Sequence, residues 1–159
     1  MQTALVEVPH ILIQCPECGA PLPDGGSCRG YFHELLLLEA EVPGAPGAMP
    51  HFFAVASYNL QHPSQFTPAI LTRLRASLDD ALAGRASIRD LRRRARYQAD
   101  GPARVLRRPG DVAAGEEQPG LWNWPTRWPM TVADVCRVSP ALYIERVRQW
   151  AAAVSATLG

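Results

Sequence analysis

Apolar positions recur along this chain at helical spacing, interrupted where proline and glycine cluster. Cys28, Phe32, Leu35 and Glu39 stand at offsets 0, 4, 7 and 11, so a helix from about Cys28 to Glu41 places them on one face. Pro43-Gly44-Ala45-Pro46-Gly47 stops it. Pro50 opens a second helix, His51 to about His62, which Pro63 ends because the residue before a proline avoids the helical region. His51, Val55, Tyr58 and His62 repeat the same offsets. A third helix begins at Thr67-Pro68, a hydroxyl N-cap followed by proline at the first helical position. Its stripe is Ile70, Leu71, Leu74, Leu78, Ala81 and Leu82, with Gly84 at its end. Ser87 and Asp90 make a near capping box for a fourth helix, to about Gln98. Thr131 to Cys136 is expected as a short helix, and Ser139-Pro140 starts a last one with Tyr143, Val147, Trp150 and Val154 on one face.

The remaining stretches lack that period. Leu5 to Ile13 alternates weakly, as a strand does, and Cys15 to Gly26 is a Pro/Gly-rich loop or knuckle. The expected architecture is mainly α: one small helical domain of about five helices over residues 1–159. It comprises an irregular zinc-knuckle-like head (1–27), a helical core (28–98), a flexible connector (99–120) and a Trp/Pro segment with C-terminal helices (121–159). Trp122, Trp124 and Trp128 lie in that segment and are expected to wrap the core; lining a pocket or docking a partner is the alternative.

Composition adds a compartment and a charge pattern. The 47% hydrophobic content is ample for one core. The longest apolar block, Leu35 to Leu38, is far too short to span a bilayer, and Met1 to Gln14 has no basic residue for a secretory signal. A cytoplasmic protein with reduced thiols and no membrane contact is expected. All 16 basic residues are arginine. Residues 66–110 hold eleven of them and four acids, whereas residues 1–65 hold one and six acids. The fourth helix carries Arg89, Arg92, Arg93, Arg94 and Arg96 around most of its circumference, with Tyr97 beside them. That pattern leaves three readings: a solvated face, an acidic surface on a partner protein or on the chain's own N-terminal half, or nucleic acid bound through residues 85–108.

Cys15 and Cys18 form a Cys-x-x-Cys pair followed by Gly19 and two prolines, and Cys28 follows ten residues after Cys18. Thiolates so spaced favour Zn²⁺ in a tetrahedral site. A redox pair is the rival reading, but such motifs sit between a strand and a helix of a βαβ unit, which this pattern lacks. The fourth ligand comes from His10, His33, His51, His62 or an acid. Two helices joined by a short connector pack antiparallel, which sets Cys28 beside His62 and Glu39 beside His51. The expected ligand set is Cys15, Cys18, Cys28 and His62, with His33 as the alternative fourth. His33 is accessible to the metal only if Cys28 precedes the helix; inside it, His33 points about 140° away from Cys28. Glu39 lies on an otherwise apolar face and needs a partner. His51, with Tyr58 near, is the expected one, either as a buried polar pair or as an acid/base pair. Cys136 is expected as a small buried apolar residue.

Several of these elements together resemble an uncharacterised family of small bacterial proteins, a domain of unknown function (DUF5946-like). They are Cys-Pro-x-Cys-Gly-Ala, Cys28 with Glu34-Leu35-Leu36 and Glu39, His51 with Tyr58-x-x-Gln61-His62-Pro63, and Thr131-Val132-Ala133-Asp134-Val135 before a Trp-bearing helix. The resemblance implies a shared small domain with Cys15, Cys18, Cys28, His51 and His62 as matching positions; His33 does not match. It carries no activity. The functional expectation is a zinc-binding accessory protein with a structural metal and a protein partner. A metalloenzyme using Glu39 or His51 as acid/base, with Tyr58 as a further candidate, is the second reading, and nucleic-acid binding the third.

Overall fold

A computed structural model describes residues 13–101, 106, 124 and 127–159. Most of the expected strand Leu5 to Ile13, most of the 99–120 connector, Trp122 and His10 lie outside the described residues. Five helices account for most of the described chain: α1 (Cys28–Ala40), α2 (Met49–Gln61), α3 (Pro68–Leu82), α4 (Ile88–Asp100) and α5 (Tyr143–Leu158). Strands β1 (Ile13–Gln14) and β2 (Pro21–Leu22) pair antiparallel, with Ile13 opposite Leu22 and Gln14 opposite Pro21.

The helix ends follow from local chemistry. Ser27 caps α1 by accepting the Gly30 amide, and a full capping box of Ser87 and Asp90 starts α4. Gly84 takes the left-handed conformation (φ 71°) just past α3, where a side chain would be strained. Three elements differ from expectation. Helix α4 continues to Asp100, beyond the expected Gln98. The Thr131 segment forms only a 3₁₀ turn over Val132–Asp134, opened by a capping box of Thr131 and Asp134. Ser139-Pro140 likewise yields a 3₁₀ turn, Pro140–Leu142, before α5 begins.

Helix α2 runs through the middle, packed against α3 and α5. Its buried side is Phe53, Ala54, Ala56, Ser57, Leu60 and Gln61. Ala54, Ser57 and Gln61 stand at offsets 0, 3 and 7, and Gln61 meets Trp150 of α5, so small side chains let the two helices approach. Tyr143, Val147, Trp150 and Val154 of α5 are all fully buried. The expected stripe of α2 is a different face: His51, Val55 and Tyr58 are half-buried, and the contacts below show this side turned toward α1. In α1, Tyr31 rather than Phe32 is buried with Cys28, Leu35 and Glu39.

The Trp segment lies over this core where it is described. Trp128 is buried, and the Trp124 indole donates to the Leu60 carbonyl at 2.5 Å. Arg137 ties the preceding turn to α1, bonding Glu34 at 3.1 Å while its guanidinium sits 5.4 Å from the Tyr31 ring centre.

Candidate metal centre

The knuckle is shaped by two backbone bonds. Gly19 N–H donates to the Cys15 carbonyl and Cys15 N–H to the Ala20 carbonyl, each at 2.9 Å. Gly19 has φ 75°, a left-handed turn that brings the chain back after Cys18. The knuckle is fastened to the helices at two points: Ser64 N–H donates to Glu17 Oε1 at 2.9 Å, and the Tyr31 hydroxyl to the Pro21 carbonyl at 3.0 Å.

Three sulfurs and one imidazole converge under it. The ligand-type atoms of Cys15, Cys18, Cys28 and His62 all lie within 4.8 Å of one another, and all four residues are buried. Cys18 Sγ is 3.4 Å from Cys28 Sγ, and Cys15 Sγ is 3.7 Å from His62 Nε2. A tetrahedron with zinc–sulfur bonds of about 2.3 Å and a zinc–nitrogen bond of about 2.0 Å has edges of about 3.8 Å and 3.5 Å, so the donor set fits such an ion. The four thiols of the chain, Cys136 included, are free cysteines.

The imidazole is oriented from behind. His62 Nδ1 donates to the Tyr58 carbonyl at 2.7 Å. A carbonyl only accepts, so Nδ1 carries the proton and Nε2 is left to face the sulfurs. The ring is also stacked: Tyr58 lies 4.2 Å from it between ring centres, and Phe32 stacks on Tyr58 at 4.3 Å. Pro63 ends the helix one residue on, and His62 has already left helical geometry (φ −127°, ψ 64°).

Crowded thiols share protons. A hydrogen bond from Cys28 holds the Cys18 thiol down to about 4 against the opposing effect of burial, with His62 adding to the fall. The same bond, burial and the negative charge of Cys18 push Cys28 above the ordinary thiol range. Burial works against a charged His62, yet hydrogen bonds to Cys18 and the Tyr58 carbonyl raise it overall. Tyr58 is pushed up to about 12 by burial and then by the neighbouring cysteines.

His33, the alternative fourth ligand, is exposed on α1 and outside this cluster. The reason is that Cys28 already begins the helix, which turns His33 away. Glu39 and His51 meet at the other end of the same helix pair, with His51 Nδ1 donating to Glu39 Oε1 at 2.7 Å. The second carboxylate oxygen accepts from the Tyr143 hydroxyl of α5. Tyr143, not Tyr58, therefore completes that cluster, because Tyr58 is one helical turn from His62 and stacks there. Burial and then the Glu39 carboxylate raise the Tyr143 hydroxyl well above its ordinary value.

Gln61, noted in the sequence only as part of the Gln-His-Pro run, has a role that the sequence did not assign. Fully buried, it accepts from the Trp150 indole at 3.2 Å and donates to the Met130 carbonyl at 2.7 Å. Residues 13–159 match the family described as Family of unknown function (DUF5946). The chain belongs to that family. Comparison with curated proteins and with solved structures gives no match. Within this DUF5946 member, the Gln-His-Pro run divides three tasks: Gln61 binds the C-terminal helix, His62 turns to the thiols, and Pro63 ends α2.

Proposed function

We propose that Cys15, Cys18, Cys28 and His62 bind one Zn²⁺ ion as a structural site, and that the protein acts in the cytoplasm as an accessory that supports a protein partner. The observation that carries this reading is the imidazole: Nδ1 is committed to the Tyr58 carbonyl, which presents the remaining nitrogen to three buried sulfurs. Three thiolates and one imidazole suit zinc by softness, and four protein donors leave no position for water. A divalent ion would replace the protons that the crowded thiols otherwise share, and its binding energy would be folding energy for a head with little apolar surface of its own.

A catalytic reading through Glu39 and His51 meets a distance problem. Those residues stand eleven positions along their helices from Cys28 and His62, about 16 Å at 1.5 Å per residue. Neither reaches a ligand of the cluster. Their support is for a structural role, since Glu39 is buried and both its oxygens are bonded.

Elemental analysis of protein purified without added metal is expected to give one zinc per chain. Cobalt substitution should give a tetrahedral, thiolate-rich spectrum that small anions leave unchanged. A Cys18→Ser variant that stays folded and fully metal-loaded would overturn the structural claim, and a cobalt spectrum that shifts on adding azide would point to an open site.

A further inference from the structure

A groove of about 480 Å³ lies between α3 and α4, lined by Arg73, Ser77, Arg93, Arg94, Tyr97 and Gln98. That volume is within the range of ligand sites. A second hollow along α4 is lined by Ile88, Arg89, Arg92, Arg93 and Arg96. Arg93 lines both, so the two form one arginine-walled track.

The arginines divide into two groups. Arg93 bonds Asp90 at 2.8 Å, Arg94 bonds Asp80 at 2.9 Å, and Arg92 donates to the Gly47 carbonyl. Of these, Arg94–Asp80 joins α4 to α3, Arg93–Asp90 lies within α4, and Arg92 ties α4 to the connector before α2. Arg73, Arg89 and Arg96 are exposed and make no hydrogen bond or ion pair among the described residues. Tyr97 is 73% exposed and lines the groove with Arg73, while Arg89 and Arg96 line the adjoining hollow. Helix α4 buries only Leu91, so packing does not account for an aromatic ring left in water there.

Unpaired guanidinium groups flanking an exposed ring match a ligand that carries phosphates and flat bases together. A single strand offers both, because its bases are free to stack on an aromatic side chain while its backbone tracks positive charge. An acidic peptide would use the arginines and leave the ring idle. A duplex keeps its bases stacked inside. We propose that the α3–α4 track binds single-stranded nucleic acid, with phosphates on Arg73, Arg89 and Arg96 and a base stacked on Tyr97. This does not depend on the metal centre.

The test is fluorescence anisotropy of labelled twelve-residue oligo-dT and oligo-rU titrated with the full chain as purified. Three phosphate contacts predict a log–log salt slope of about −2, so affinity should fall roughly 20-fold between 50 and 200 mM salt. Tyr97→Ala should weaken binding between about five- and 150-fold, with Tyr97→Phe near wild type. Arg89→Glu with Arg96→Glu should weaken it at least tenfold, and the milder Arg89→Gln with Arg96→Gln pair should act in the same direction. All these side chains are exposed, so circular dichroism should show unchanged folding. The proposal is overturned by absence of binding at 50 mM salt or by a silent Tyr97→Ala. It is equally overturned if polyglutamate displaces the probe as well as unlabelled oligonucleotide does, which would assign the track to an acidic protein.

Discussion

Replacing Gln61 by leucine tests how the middle of the molecule is held. The side chain is fully buried and has two partners, the Trp150 indole N–H and the Met130 carbonyl. Gln61→Leu keeps the bulk and deletes both bonds. The indole is completely buried, so its orphaned N–H should cost about 1–3 kcal/mol. Met130 is half-buried and its carbonyl can reach water, so the second loss should be smaller, about 1 kcal/mol. Leucine's more favourable burial returns about 1 kcal/mol. The net is about 2 kcal/mol, which for a chain of this length lowers Tm by roughly 4–8 °C. Thermal denaturation followed by far-UV circular dichroism measures it. The reasoning has a sharper check in a double-mutant cycle with Trp150→Phe. Removing the indole N–H leaves nothing for the leucine to orphan, so the double variant should be less destabilised than the two singles together, by about 1 kcal/mol or more. Strict additivity, or a single variant melting within 1 °C of wild type, would show that this bond holds nothing.

His62→Ala should drop bound zinc well below one per chain, whereas Cys136→Ser, whose thiol lies outside the cluster, should leave it at the wild-type level; plasma emission spectrometry reads both. Tyr143→Phe removes the donor to a buried carboxylate and should cost about 1–3 kcal/mol in urea denaturation without changing metal content. The α3–α4 pair should weaken in acid. Hydrogen bonds from Arg85 and Arg94 hold the Asp80 carboxyl below its ordinary range. Its folded pKa thus lies below the unfolded one, so its contribution is complete above about pH 4 and is lost as pH falls through the lowered value. Melts between pH 7 and 3 should show a steeper acid loss for wild type than for Asp80→Asn, and identical profiles would refute that account.

Most helix boundaries could be read because they are chemical events confined to a few residues: Thr67-Pro68 and Ser87 as starts, Pro63 as a stop, Gly84 in a left-handed turn. The convergence of Cys28 with His62, and of Glu39 with His51, could be read because a short connector forces an antiparallel pair and eleven residues span the same length on both helices. What stayed hidden was long-range or built from weak signals. Tyr143 reaches Glu39 across 104 positions, and helical spacing presents it merely as another core residue. Ala54 and Ser57 carry little hydrophobic signal, so the face of α2 that receives α5 was invisible beside the stronger His51–Val55–Tyr58 stripe. Two-residue strands such as Ile13–Gln14 are too short to show a period.

Gln61 and His62 are consecutive, yet one amide holds an indole and the next imidazole faces the sulfurs. The two residues share one peptide unit, so a backbone shift of His62 that accompanies chelation is expected to reach Gln61 and, through it, the Trp150 indole. The molecule should therefore carry its own optical gauge: tryptophan emission should redden as the knuckle empties, before the helices melt.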